Sequence, residues 1–204
     1  FYLSCEATRL AKPLAHFELY RRVLDLPGAL VECGVFKGVS LARFAMFRAM
    51  LGSEAARPIV GFDIFGRFPE ITHAPDRALV DDFLRRAGSE GISRQQLLSV
   101  LRHKGLAAHV ELIEGNILDT VPRYAAEHPE LRIALLNLDT DTYEPAQVIL
   151  EHFWPRLVPG GVLVLDDYGV FPGETRAVDE YFAGRNVELR RFPYAATPCY
   201  LVKS

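Results

Sequence analysis

Cysteine is scarce in this chain, and what there is lies far apart. Cys5, Cys33 and Cys199 form neither a disulfide framework nor a zinc-type spacing, which points to free thiols in a reducing compartment. Cys33 falls inside an apolar run and reads as a small buried side chain. The six histidines are scattered without metal-type pairing. Charge of one sign is lacking as well. A net charge of −3 over 204 residues gives no electrostatic reason to expect DNA or RNA as a partner. No stretch approaches the roughly 20 apolar residues that cross a bilayer, and no signal peptide is apparent. The expected setting is cytoplasmic, although the start at Phe1 rather than Met leaves a preceding targeting segment open. Internal repeats and low-complexity tracts are missing too. The length suits one domain, 1–204, with a sizeable core.

Against this background two acidic clusters stand out. Asp139-Thr140-Asp141 follows the apolar run Ile133–Leu138, and Asp166-Asp167 follows Val162–Leu165. Continuously apolar runs of this length read as parallel strands covered on both faces. Ligands of open α/β sheets bind outside the carboxyl ends of such strands. Carboxylates from neighbouring strands would converge there, and their repulsion calls for a cation, best a hard divalent ion with oxygen ligands. The plain alternative is that these acids cap the helices that follow.

Strand and helix alternate along most of the chain. Helical spacing over Pro13–Leu26 stops at Pro27-Gly28, within an N-terminal helical segment 1–28. Strands are expected at Ala29–Cys33, Ile59–Asp63, Val110–Glu114, Ile133–Asp139 and Val162–Asp166. Helices are expected at Val39–Leu51, Ile117–Glu127, Tyr143–Leu157 and Glu174–Phe182. Trp154 and Phe153 fall at helical spacing with Ile149 and Leu150, so they belong to the core. A polar insertion, 66–105, separates the second and third strands. It carries helical patches near Asp76–Ala87 and Arg94–Lys104 and could serve as a lid or an oligomer contact. The ending breaks the alternation: Val187–Phe192 and Cys199–Val202 are strand-like with no helix between them. The expected fold is an α/β three-layer sandwich, Rossmann-like. Its seven-stranded sheet is mostly parallel and ends in an antiparallel hairpin, as in class I methyltransferases.

The first strand-to-helix turn, Glu32-Cys33-Gly34-Val35-Phe36-Lys37-Gly38-Val39-Ser40, has Gly-x-x-x-Gly spacing. It is not the pyrophosphate fingerprint Gly-x-Gly-x-x-Gly. Glu32 would repel a pyrophosphate but could accept a bond from an ammonium group. Asp63, ending the second strand, stands where an acid commonly binds two ribose hydroxyls. Acids for an amine and a ribose without a phosphate cradle suit S-adenosylmethionine better than a dinucleotide. Taken alone, the glycine loop would also fit an ordinary tight turn.

These residues resemble the macrocin O-methyltransferase family, bacterial enzymes that methylate sugar hydroxyls in antibiotic and related natural-product biosynthesis. The resemblance rests on Val31-Glu32-Cys33-Gly34-Val35-Phe36-Lys37-Gly38, Gly61–Gly66, Leu138–Glu144, Pro159–Gly169 and Pro172–Asp179. It spans Val31 to Asp179, and the paired acids followed by Asp166-Asp167-Tyr168 are its specific part. Two departures are visible. Thr140 replaces the glycine of the family's usual Asp-Gly-Asp, and Asn116-Ile117 lacks an aromatic often found after the third strand.

The resemblance implies an O-methyltransferase dependent on S-adenosylmethionine and Mg2+ or another divalent cation. Its acceptor would be a small molecule, in this family a sugar, and the chain would form a homodimer or higher homo-oligomer. Asp139, Asp166 and Asp167 take the metal positions, with Asp139 also the candidate base. Glu32, Gly34, Phe36, Lys37, Gly38, Ser40, Asp63 and Asn116 are the cofactor-side candidates. Asp141, Tyr168 and Arg176 are weaker candidates for the acceptor. Each of the three has a plain alternative: a helix N-cap for Asp141, packing for Tyr168, and a first-turn bond to Asp179 or solvent for Arg176. His73 in the insertion could also approach the pocket. Competing readings are a catechol-type O-methyltransferase, a glycosyltransferase using Asp139-Thr140-Asp141 as its metal motif, and a non-catalytic assembly domain.

Overall fold

The computed structural model describes residues 3–52, 57–69 and 73–204. Seven strands form one sheet: β1 (Ala29–Cys33), β2 (Ile59–Asp63), β3 (Val110–Glu114), β4 (Ile133–Leu138), β5 (Leu157–Leu165), β6 (Arg190–Arg191) and β7 (Cys199–Val202). Their order is β3-β2-β1-β4-β5-β7-β6. The first five run parallel, while β7 is antiparallel to both β5 and β6. The helices are α1 (Ala11–Arg22), α2 (Val39–Leu51), α3 (Arg77–Ala87), α4 (Arg94–His103), α5 (Ile117–Glu127), α6 (Tyr143–Phe153) and α7 (Pro172–Phe182).

Period-2 alternation sorts the strand side chains between two cores. Val31, Phe62, Leu136 and Leu163 face α5, α6 and α7 through Val121, Ile149, Phe153 and Val178. Leu30, Ile59, Leu135 and Val164 face α1, α2 and α4 through Leu19, Phe44 and Leu97. Both faces of the central strands are therefore dry, which is why their sequences are apolar at nearly every position. The insertion divides its labour. Leu97 and Leu101 make α4 part of the second core, behind a capping box between Ser93 and Gln96. By contrast, α3 buries only Val80 and leans over the cavity mouth, where Phe83 meets Phe36 at 5.3 Å.

Most expected boundaries hold within a few residues, and the largest differences fall at three places. α6 ends at Phe153 and gives way to a 3-10 turn, Trp154–Arg156, because Pro155 has no N–H to continue the helix. β5 begins at Leu157 and is offset against β4 between Ile133 and Leu135. The expected strand over 187–192 shrinks to Arg190–Arg191. Val187 and Leu189 are solvent-exposed at this sheet edge, so the alternating pattern has nothing to cover, and a short charged edge resists further pairing. Among the described residues no helix is long and apolar enough to cross a membrane.

Strand order reverses between β1 and β4, making their carboxyl ends the switch point where ligands of such sheets bind. Pairing continues past the strand ends. Gly34 N–H donates to Phe62 O (2.9 Å), Asp139 N–H to Cys33 O (2.9 Å), and Asp166 N–H to Leu138 O (3.0 Å). The glycine turn and both acidic loops are thereby held in one row.

Candidate active site

A cavity of about 490 Å³ opens at this row. One carboxylate oxygen from each of Asp139, Asp166 and Asp167 lies within 4.8 Å of the others. Asp166 is almost wholly buried at the end of β5. Burial alone would raise its pKa, but the Lys12 ammonium and the neighbouring His16 outweigh that and hold it near 2. Burial, then the Asp166 charge, pushes Asp139 well above the usual carboxylate range. Burial, with Asp141 and Asp166 next in weight, raises Asp167 to about 9. Asp141 rises to about 7, through burial first and Asp139 second. Glu174, fully buried at the start of α7, accepts a bond from Asp167 N–H (3.1 Å) and is itself raised by burial and by Asp167.

So many carboxyls in one place require positive charge. Lys12 of α1 supplies some of it: its ammonium pairs with Asp166 and stands 4.0 Å from Asp139. Burial works against that ammonium, yet Asp139 and Asp166 keep its pKa above the ordinary lysine value. Three hard oxygen donors already gathered around a cation are a donor set that suits Mg2+ or a similar ion.

The opposite wall is the glycine turn. Gly34 has φ +94°, and a Cβ there would stand 2.6 Å from the carbonyl carbon of Asp139, nearer still to its oxygen. Only glycine lets the two loops touch. Asp63 braces this turn: its Oδ2 accepts from Val35 N–H (2.8 Å) and Phe36 N–H (2.9 Å), and its Oδ1 from Phe65 N–H (2.7 Å). A carboxylate has about four acceptor positions. Asp63 also lines the cavity, with both of its carboxylate oxygens accepting from backbone donors.

Several other candidates occupy positions that the sequence did not foresee. Glu32 does not reach the cavity; it is fully buried and accepts a bond from Ser40 Oγ at 2.5 Å. Burial, against the Ser40 bond, raises its pKa to about 8, and its Oε2 has no hydrogen-bond partner among the described residues. Ser40 itself lines the cavity. Gly38 does not: it is the left-handed N-cap of α2, and a Cβ would press on Leu97 Cδ1 at 2.8 Å. Its glycine serves packing against α4. Phe36, Lys37 and Asn116 border the cavity. Lys37 donates to Glu90 O of the insertion, and Asn116 caps α5 by accepting from Leu118 N–H (3.0 Å).

On the acceptor side, Asp141 lines the cavity with φ +63°. The N-cap of α6 is Thr142, not Asp141. Tyr168 and Arg176 lie outside the cavity. Tyr168 donates to Asp179 (2.7 Å). Arg176 pairs with Glu180 (2.8 Å), one helical turn on, and lies over the Tyr143 ring. His73 stacks on Tyr143 and meets Asp76 Oδ2 at 2.9 Å, also away from the cavity lining.

Sequence reasoning missed Lys12, His16, Arg43 and Asp76. The first two sit at i and i+4 on one face of α1, a spacing that could have flagged them. Asp76 is fully buried and accepts from Gly173 N–H at 2.6 Å, tying the insertion to the first turn of α7. A lone aspartate in a polar insertion carries no sequence signal of that kind.

The fold has counterparts among solved structures, and the sequence among curated proteins. A crystal structure of a calicheamicin methyltransferase superposes with a TM-score of 0.79 at 30% identity, covering 98% of this chain and 82% of that one. The 8-demethyl-8-(2,3-dimethoxy-alpha-L-rhamnosyl)-tetracenomycin-C 4'-O-methyltransferase of Streptomyces olivaceus is 33% identical over 150 residues, 71% of this chain and 54% of its own length. The mycinamicin III 3''-O-methyltransferase of Micromonospora griseorubida is 30% identical over 161 residues, 76% and 61% respectively. The chain thus spans little more than half the length of these curated relatives. The model of the macrocin-O-methyltransferase family, TylF, matches residues 15–191. With that match running from α1 to the edge strand β6, the chain belongs to the macrocin-O-methyltransferase family.

Proposed function

We propose that this chain is the catalytic unit of an S-adenosylmethionine-dependent, divalent-metal-assisted O-methyltransferase acting on a sugar hydroxyl. The observation that carries this reading is the convergence of Asp139, Asp166 and Asp167 to within 4.8 Å beside the glycine-turn cavity. Tetracenomycin and mycinamicin O-methyltransferases among the relatives support sugar as the acceptor class.

When bound, the cofactor would supply an activated methyl group, and a divalent ion would lower the pKa of a coordinated acceptor hydroxyl. The chain's own residues do the rest. Asp139, Asp166 and Asp167 would hold the ion, which would take the place of the Lys12 ammonium as their counter-charge. Asp139 would also take the hydroxyl proton, since its carboxylate lines the cavity beside the position of the coordinated oxygen. Gly34 and the Asp63-braced turn bring the cofactor wall against the Asp139 loop, so catalysis rests on positioning. Ser40, Asn116 and Asp141 all line the cavity; the first two would meet the cofactor and Asp141 the acceptor.

The test is calorimetric titration of S-adenosylmethionine into metal-stripped wild type and an Asp166→Asn/Asp167→Asn variant, followed by methyl transfer to deoxysugar nucleotides and to catechols with and without magnesium. The expected result is cofactor binding by both proteins and magnesium-dependent transfer to sugars by wild type alone. Transfer to catechols only would replace the acceptor class. Failure of folded wild type to bind the cofactor would overturn the proposal.

A further inference from the structure

His16 makes no contact that the proposed chemistry has yet used, although it lies against a metal-site carboxylate. It is fully buried on α1 and stacks flat on Phe44, with ring centroids 4.9 Å apart and planes 9° from parallel. Its Nδ1 stands 3.0 Å from an Arg43 guanidinium nitrogen. A guanidinium has donors only and no acceptor, so Nδ1 must offer its lone pair to Arg43. The ring hydrogen therefore sits on Nε2. That atom faces Asp166 Oδ1 at 3.4 Å without the alignment of a hydrogen bond, and among the described residues neither atom has a hydrogen-bond partner. Two buried polar atoms that face only each other would otherwise each carry the cost of an unsatisfied group.

This order of contacts excludes two roles and leaves one. With Nδ1 given to Arg43 and Nε2 protonated, His16 has no lone pair for a metal and none for a substrate proton. What remains is to donate. A terminal carboxylate torsion is soft and roughly two-fold, so an Asp166 held from one side only could swing. With Oδ1 facing Nε2–H, Oδ2 is turned toward the cluster, where the Lys12 ammonium meets it. We propose that His16, fixed as its Nε2–H tautomer by Arg43, is a positioning residue that aims the Asp166 carboxylate at the divalent cation. The inference rests on the metal-assisted reading above and adds an outer layer to it: cation, carboxylate, imidazole, guanidinium. Partners of metal ligands commonly govern affinity about 10- to 100-fold.

The experiment uses Mn2+ as an EPR-visible probe and needs no turnover. His16→Phe keeps a flat ring against Phe44 and loses the donor, whereas His16→Gln keeps an N–H. Mn2+ affinity is measured for wild type and both variants, with S-adenosylmethionine affinity as the control for folding. The expected result is Mn2+ binding weakened about 10- to 100-fold in His16→Phe, largely recovered in His16→Gln, with cofactor affinity unchanged in both. In parallel, 15N NMR of wild type should show His16, assigned by its loss in His16→Gln, as a neutral ring with hydrogen on Nε2. An Nδ1–H ring, or His16→Phe binding Mn2+ as tightly as wild type, would overturn the proposal. A folded wild type that binds cofactor but no Mn2+ would overturn the metal-assisted reading itself and the positioning role with it. The NMR tautomer would still report whether Arg43 sets the ring.

Discussion

Gly34→Ala adds a single methyl group where the glycine turn packs against the acid-bearing loop. Two costs follow from the structure. The alanine must adopt φ +94°, and a left-handed backbone costs an L-residue about 1–2 kcal/mol. Its Cβ must also push the Asp139 peptide back from 2.6 Å at the carbonyl carbon, an overpacking cost of about 1–3 kcal/mol. Together these reach about 2–5 kcal/mol, inside the usual stability of about 5–15 kcal/mol, so the variant should fold. At roughly 2–4 °C per kcal/mol for a chain of this size, its Tm should fall by about 4–20 °C. Gly105→Ala is the control, since Gly105 is also left-handed (φ +69°) but nothing lies within 4 Å of its added Cβ. Scanning fluorimetry on both variants isolates the clash from the backbone term. Because the clash displaces Asp139, Mn2+ and S-adenosylmethionine should both bind more weakly to Gly34→Ala while Gly105→Ala binds them as wild type. Equal Tm losses in the two variants, with ligand affinities intact, would refute the claim that this contact couples the two halves of the site.

Three further outcomes are expected. Lys12→Met removes the ammonium that a dication must displace from Asp166, so Mn2+ should bind more tightly by EPR; unchanged affinity would show that Lys12 leaves the cluster at no cost. Glu32→Gln should matter only at high pH. Burial raises Glu32 from 4.5 to about 8 in the folded chain, so between those values the native state holds a proton that the unfolded chain has released, and stability falls as pH rises. The variant should match wild type in Tm near pH 5 and exceed it at pH 9; a wild type with the same Tm as the variant at pH 9 would refute this. Asp76→Ala strands the Gly173 N–H, a loss of about 1–3 kcal/mol, and should lower Tm while loosening α3 and the start of α7. Hydrogen exchange confined to other elements would contradict the clamp.

The central strands of this protein were legible because they must stay dry on both faces. Ala29–Cys33 and Ile59–Asp63 are buried along nearly their whole length and keep their expected bounds, as does the more exposed Val110–Glu114. The acids after β4 and β5 follow from the same logic, since polar residues reappear where a buried strand reaches the ligand-binding edge. Val187–Leu189 misled because alternation alone cannot reveal whether a second layer exists to cover it. Asp63 and Glu32 show the deeper limit. Sequence marks them as acids flanking a turn, but whether an acid faces a ligand, a row of backbone donors or a buried hydroxyl depends on distances of a few ångströms. Lys12 lies 154 residues from Asp166, and Asp76 lies 97 from Gly173. Such pairs leave no local periodicity, because side chains that meet only through the fold are free of the helical and strand repeats that order their neighbours. Local apolar patterning decided the sheet and the row of acids; only tertiary packing decided which cation, which imidazole and which backbone amides those acids would answer to.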